Sequence, residues 1–204
     1  MSHYYTSNLD TKSNIKRIEV TLRGESFIFY TDHGVFSKET VDYGSRVLIE
    51  SYQYKEHHQR ILDVGCGYGP IGISLAKKFS DLSVDMIDVN LRAIELCQRN
   101  IEENQVTNAR AFYSDLYTEV QGPYDCILTN PPIRAGKPVV HRILEESIDY
   151  LAENGELWVV IRKKHGAPSA KKKMFEVFGN CDIMTRDSGY YILKSVKKNQ
   201  LSLK

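Results

Sequence analysis

Four consecutive residues, Asn130-Pro131-Pro132-Ile133, join an amide side chain to an unusually stiff backbone. Two prolines fix φ at two positions and remove two N–H donors. Asn130 and Pro131 each precede a proline and are pushed to extended conformations. The apolar run Cys126-Ile127-Leu128 just before them reads as the end of a buried strand. Such a corner holds the Asn130 amide and the Pro131 carbonyl outward in fixed geometry. Two acceptor oxygens side by side can grip both hydrogens of an –NH2 group. A planar, conjugated amine is a poor nucleophile, and drawing its hydrogens to one side frees the lone pair for an electrophile opposite. A plain stiff loop would have the same composition; its place after the fourth strand of the pattern below favours the clamp.

A second stretch supplies the electrophile. Ile61-Leu62-Asp63-Val64-Gly65-Cys66-Gly67-Tyr68-Gly69-Pro70-Ile71-Gly72 reads as strand, glycine-rich turn, then helix. Gly67, Gly69 and Gly72 also satisfy the dinucleotide fingerprint, a weak signal alone. Asp63 at the mouth of the loop repels phosphate and attracts an ammonium or sulfonium. Pro70 removes an N–H that a phosphate-binding helix start would use. S-adenosylmethionine, with an α-amino group, a sulfonium and no phosphate, fits better.

Two further carboxylates extend the pattern. Ser83–Asp88 reads as the next strand, and Asp88 lies 23 residues after Gly65, about where a carboxylate meets ribose hydroxyls. Tyr113-Ser114-Asp115 closes a third strand, so Asp115 can reach the adenine amino group; capping the following turn is its other reading. Asp63, Asp88, Asp115 and Asn130 all fall at carboxyl ends of expected parallel strands, where ligands bind.

With these residues the sequence resembles the class I S-adenosylmethionine-dependent methyltransferases that carry an Asn-Pro-Pro signature. It is most similar to the small-subunit ribosomal RNA guanine-N2 methyltransferases, over about residues 26 to 196. Gly34-Val35-Phe36-Ser37 and Asp42-x-Gly44-Ser45 upstream, and Gly155-Glu156-Leu157-Trp158 downstream, belong to the resemblance. It implies that Asn130 and Pro131, followed by Pro132 and Ile133, hold the target amine. It implies cofactor contacts at Asp63, Gly65, Gly67, Asp88 and Asp115, and the neighbouring Cys66, Gly69, Val89 and Leu116 join the candidate set with Asn130. Two departures stand out. The well-known bacterial members carry a degenerate second domain in front, for which 204 residues leave no room. The fourth position of their motif is often an aromatic that stacks on the base, and here it is Ile133.

Composition sets the frame. Length suits one domain, 1–204, with a 1–59 hairpin-and-helix extension and a 60–204 catalytic core. Hydrophobic content of 42% and charged content of 26% are ordinary for a soluble globular chain. Met1–Thr6 has no apolar core and reads as no signal peptide. No apolar run approaches the ~20 residues of a membrane span. Four widely spaced cysteines without a C-x-x-C pair suggest free thiols in a reducing cytoplasm and no structural metal. The net charge of +1 hides an asymmetry: residues 158–204 hold 11 Lys and Arg against 3 Asp and Glu, the remainder 16 against 23. A basic C-terminal section suggests a polyanionic partner, which the resemblance implies is ribosomal RNA or the small ribosomal subunit.

The positioning elements follow from periodicity. Residues 15–31 read as a hairpin turning at Arg23-Gly24-Glu25. A helix is expected over 38–54 with Ser37 as N-cap. Strands are expected near 61–64, 83–88, 109–114, 125–129 and 155–162, with helices near 70–79, 90–103, 137–152 and 167–178. An antiparallel pair, 181–187 and 189–197, ends the chain. Strand–helix alternation implies an α/β, mostly parallel sheet, and the resemblance implies its Rossmann-like, seven-stranded form with a C-terminal antiparallel strand. Phe36 reads either as core or as a lid over the cofactor. Arg162-Lys163-Lys164-His165, at the edge of the active site, reads as a solvated run or as RNA contact; Arg134 is a further RNA candidate. Lys171-Lys172-Lys173 reads as helix surface, His141 as packing or surface, and Cys66 as a small filler rather than a nucleophile. Rival functions are a protein-glutamine methyltransferase, whose amide is also a planar –NH2, and a non-catalytic RNA-binding assembly factor that keeps the fold.

Overall fold

The structure is a computed structural model describing residues 14–32 and 39–198. A two-stranded hairpin, β1 (Lys16–Leu22) and β2 (Glu25–Thr31), and a helix, α1 (Tyr43–Ser51), precede the central sheet. The sheet contains β3 (Arg60–Val64), β4 (Ser83–Asp88), β5 (Ala109–Tyr113), β6 (Tyr124–Thr129), β7 (Leu151–Arg162), β8 (Asp182–Asp187) and β9 (Tyr190–Val196). Helices α2 (Pro70–Lys78), α3 (Leu91–Glu103), α4 (Lys137–Tyr150) and α5 (Ala167–Phe178) alternate with the strands. The spatial order is β5-β4-β3-β6-β7-β9-β8. All pairs are parallel until β9, which runs antiparallel to both β7 and β8.

Successive residues of each central strand serve opposite faces of the sheet, as a pleated strand requires. Ile61, Val84, Met86, Cys126, Leu128, Trp158 and Val160 pack into one core, shared with α1, α2, α3 and the hairpin. Leu62, Ile87, Ile127, Leu157, Val159 and Ile161 pack into the other, under α4 and α5. Burial on both faces explains why these strands read as continuous apolar runs.

The N-terminal hairpin is tied to α3 by two asparagines one turn apart. Asn104 accepts from the Ile28 amide at 3.0 Å and donates to the Ile28 carbonyl at 2.7 Å. Asn100 does the same at Tyr30, at 2.7 and 3.1 Å, and also donates to the Tyr68 carbonyl in the glycine turn at 2.9 Å. Both side chains thereby replace the strand that the outer edge of β2 lacks.

The expected helix over 38–54 is shorter at both ends. It begins after Asp42, whose carboxylate accepts from the Ser45 amide at 3.1 Å; Ser37 lies outside the described residues. It stops at Ser51 because Tyr52 turns extended and buries its ring edge-on to Trp158, 5.7 Å between centroids. Helix α4 likewise stops at Tyr150, and Leu151 opposite Tyr124 starts β7 four residues before the expected strand. Asn90 caps α3 as its position suggests, accepting from the Arg92 amide at 3.1 Å.

Candidate active site

The strand order lays the candidate residues in a row. Along one sheet edge come the loop after β5 with Ser114, Asp115 and Leu116, the end of β4 with Asp88 and Val89, the glycine turn after β3, and Asn130–Ile133 after β6. Neighbouring strands stand about 4.8 Å apart, so the four groups span the length of one extended small molecule.

The glycine turn is closed on itself. The amides of Gly65 and Cys66 both donate to the Ile87 carbonyl at 2.9 Å, and that of Gly69 donates to the Cys66 carbonyl at 3.0 Å. The Gly67 amide donates to Asp88 Oδ2 at 2.9 Å and the Gly72 amide to Asp63 Oδ2 at 3.0 Å. Pro70, at the first helical position, has no N–H. These donors are spent, so the turn does not suit a pyrophosphate, which needs them free. Gly69 and Gly72 are small for packing reasons: a Cβ would stand 2.6 Å from Cys97 Sγ and 2.4 Å from Met86 Sδ, respectively. Gly65, at φ +72°, faces open space bounded by Pro132 Cδ at 3.9 Å from where its Cβ would be. The turn and the proline corner therefore flank the same opening. Cys66 is buried, and burial holds its thiol well above the ordinary range, which leaves it no nucleophilic character.

The two carboxylates beside the turn are under electrostatic tension. Asp63 is fully buried, and burial pushes its carboxyl up to about 7, partly countered by the Gly72 amide. Its Oδ1 is buried with no hydrogen-bond partner among the described residues. Burial also raises Asp88, against the amides of Asn90, Gly67 and Val89. Asp88 accepts from Asn90 at 2.9 Å through Oδ1 and from Gly67 through Oδ2, so it braces the turn as well as facing the edge. Each of its oxygens keeps a second lone pair. At the next position Ser114, not Asp115, serves the turn: its Oγ donates to the Leu116 carbonyl at 2.7 Å and accepts from the Glu119 amide at 3.2 Å. The half-buried Asp115 carboxylate makes no side-chain hydrogen bond among the described residues. Leu116 sits at φ +52° and packs on the α4/α5 core.

At the proline corner, Asn130 is fixed by residues far away in sequence. Its Nδ2 donates to Asp42 Oδ2 at 3.0 Å and to Ser45 Oγ at 2.9 Å. A carboxylate only accepts, so the –NH2 must face Asp42 and the amide oxygen must face away. Below it, Thr129 Oγ1 donates to the Val64 carbonyl at 2.8 Å, locking β6 to β3 at the edge. Pro131 is buried and Pro132 exposed. Ile133 opens a short 3-10 turn to Ala135 and packs against the α4/α5 core, so its side chain serves the interior. The motif Asp42-x-Gly44-Ser45 stands in the sequence only as part of the resemblance; neither its capping of α1 nor its bond to Asn130 is legible there.

Beyond this corner, β7 ends in Arg162 and runs into the exposed Lys163 and Lys164. With Pro168, Ser188 and Gly189 these three line a cavity of about 460 Å³. None of the three makes an ion pair among the described residues, whereas Lys172 and Lys173 pair with Glu176, and Lys173 also with Glu145. Arg134 is exposed beside the proline corner. His141 lies against Ser169 Oγ at 3.1 Å, away from the row. Phe36 lies outside the described residues. Among those residues no helix is long and apolar enough to cross a membrane, and no cluster of three His, Cys, Asp or Glu could hold a metal.

Residues 26–194 match the family model described as methyltransferase small domain. The chain is 51% identical over 197 residues to uncharacterized protein YbxB of Bacillus subtilis, covering 96% of this chain and 98% of that one. It is 29% identical to ribosomal RNA small subunit methyltransferase C of Vibrio cholerae, over 92% of this chain and 55% of the relative. The chain thus spans about half the length of the methyltransferase C relatives it matches. Among solved structures, the Thermus thermophilus 16S rRNA N2 G1207 methyltransferase in complex with AdoMet and guanosine superposes with a TM-score of 0.81. That match has 24% identity and covers 92% of this chain and 52% of that one.

Proposed function

Because this chain belongs to the methyltransferase small domain family, we propose that it methylates an exocyclic amine of structured RNA, guanine N2 of small-subunit ribosomal RNA being the favoured acceptor. The observation that carries this reading is the fixed Asn130 amide. Its –NH2 is consumed by Asp42 and Ser45, so its oxygen is the group turned outward. With the Pro131 carbonyl beside it, that oxygen holds an acceptor amine by its hydrogens and turns the nitrogen lone pair toward the glycine turn.

S-adenosylmethionine, when bound, supplies a methyl group on a positively charged sulfur. The residues present suit it. Asp63 offers a buried oxygen without a partner for the charged methionine end, directly or through water. Asp88 keeps lone pairs for ribose hydroxyls, and Asp115 keeps a free carboxylate for the adenine amine. Asn130 and Pro131 orient the acceptor, and the rigid corner holds it in line. The methylated nitrogen becomes acidic and releases its proton to water, so no strong base is required. A base inside a duplex cannot reach this edge; the target is looped out or flipped.

RNA is favoured over protein by the unpaired Arg162, Lys163 and Lys164 at the same edge and by the names of the relatives. The test offers labelled S-adenosylmethionine with small-subunit rRNA, assembled subunits, and a glutamine-bearing release-factor peptide. Label is expected on guanine N2 in one of the RNA forms. Label on the peptide alone would replace this reading with protein-glutamine methylation, and no transfer together with no cofactor binding would favour an assembly factor.

A further inference from the structure

Ile133 is half-buried against the α4/α5 core and is not aromatic, so an aromatic that could flank an RNA base must come from elsewhere. Two tyrosines stand next to the acceptor clamp. Tyr43 follows Asp42 directly and leaves nearly half its surface, 46%, to solvent. Its ring lies 5.8 Å from that of Tyr190, tilted by 42°. Tyr190 abuts Gly44: a Cβ there would stand 2.7 Å from Tyr190 Cε1 and 3.0 Å from Asp42 Oδ2, the oxygen that holds Asn130. The two rings are therefore continuous with the clamp.

The same patch carries unspent positive charge. Arg162 stacks over Tyr190 with its guanidinium carbon 5.3 Å from the ring centroid, and its side chain makes no hydrogen bond or ion pair among the described residues. Lys163 and Lys164 follow it into the adjoining cavity. Asp187 lies on the rim, but its oxygens already accept from Tyr43 at 2.9 Å and from Ser188 at 2.8 Å. The patch thus divides into a ring side next to Asp42 and a cationic side next to β7.

We propose that Tyr43, Tyr190 and Arg162 form a subsite for the nucleotide that adjoins the methylated one, its base against the tyrosines and its phosphates toward Arg162, Lys163 and Lys164. The subsite rests on the RNA reading above. Stacking on aromatic rings tolerates any base and combines naturally with a cationic groove along the backbone. It gives a looped-out strand a second anchor, so the target nucleotide is presented rather than merely captured.

The experiment uses the full chain with S-adenosylmethionine and RNA hairpins whose loop carries guanosine next to 2-aminopurine. Quenching of 2-aminopurine reports stacking, and labelled methyl reports transfer. The wild-type protein should quench the probe and methylate the guanine. Tyr43→Leu should raise both Kd and KM for RNA about tenfold, with cofactor affinity unchanged. Tyr43→Phe keeps the ring but loses the bond to Asp187, and it should recover most of that loss. RNA affinity unchanged in Tyr43→Leu would overturn the subsite while leaving RNA methylation standing. Equal damage from Phe and Leu would also overturn it, because the tie to the β8–β9 turn would then explain both. A wild-type protein that methylates the glutamine peptide and binds no hairpin would remove the RNA reading and the subsite together.

Discussion

Buried carboxylates occur in two regions of this sheet and are treated in opposite ways. Toward the amino half, Asp85 accepts from Arg110 at 2.6 and 3.1 Å and from the Tyr124 hydroxyl at 2.6 Å. Glu156 is met by Lys55, by Lys194 at 3.5 Å and by the Trp158 indole at 2.8 Å. Burial alone would raise both groups, yet their partners hold both below the usual carboxylate range. At the carboxyl edge, Asp63 and Asp88 see mainly backbone amides and are raised. A buried charge with a full set of partners knits strands together; one left short of partners marks the place where a ligand is expected.

The largest effect should come from breaking a satisfied site. Glu156→Ala orphans the buried Trp158 indole and the mostly buried Lys194, and should lower stability by about 3–5 kcal/mol. A denaturant midpoint that barely moves would show that these contacts do not hold the sheet. Next comes the acceptor corner. Asn130→Ala should slow methyl transfer on the order of 10²-fold, as for loss of one fixed polar group at a reacting centre. Cofactor affinity by calorimetry should stay the same, because the role proposed for Asn130 is toward the acceptor.

The sharpest effect for the comparison is the pH dependence of stability. The folded value of Asp63, about 7, lies above its unfolded value of about 4. Between these values the folded state keeps a proton that the unfolded state has released. Asp63 therefore lowers stability as pH rises from about 4 to about 7, and its penalty is constant above that. Asp85 and Glu156 act in reverse: their contribution is present above the unfolded carboxylate range and is lost as pH falls through their depressed folded values. Asp63→Asn should flatten the decline between pH 5 and 7, raise stability at pH 8, and weaken cofactor binding on the order of tenfold. Denaturation at a series of pH values checks the first two and calorimetry the third; a wild-type pH slope in the variant would refute the tension at Asp63.

Where local pattern and tertiary packing agree, the sequence is legible to the residue. Strand β4 and helix α5 begin and end at the residues expected for them. The placement of Asp63, Asp88, Asp115 and Asn130 in a row is legible for the same reason, since each lies within two residues of a strand end. Helix α1 is not, because its end is decided by Tyr52 packing on Trp158, a partner no local window contains. The bonds from Asp42 and Ser45 to Asn130 are hidden in the same way, spanning 88 and 85 positions. The brace that Asp88 gives the turn is invisible in a spacing rule that knows only ligands. The packing of Ile133 against the core under α4 and α5 is likewise decided by partners outside any local window.

The paired asparagines of α3 have a consequence for behaviour at high concentration. An open strand edge invites addition of a strand from another molecule, the first step toward ordered aggregates. At Ile28 and Tyr30 the outward amides and carbonyls of β2 are already occupied by Asn104 and Asn100. The helix thereby seals that side of the hairpin against recruitment, with side chains that cannot propagate a ladder.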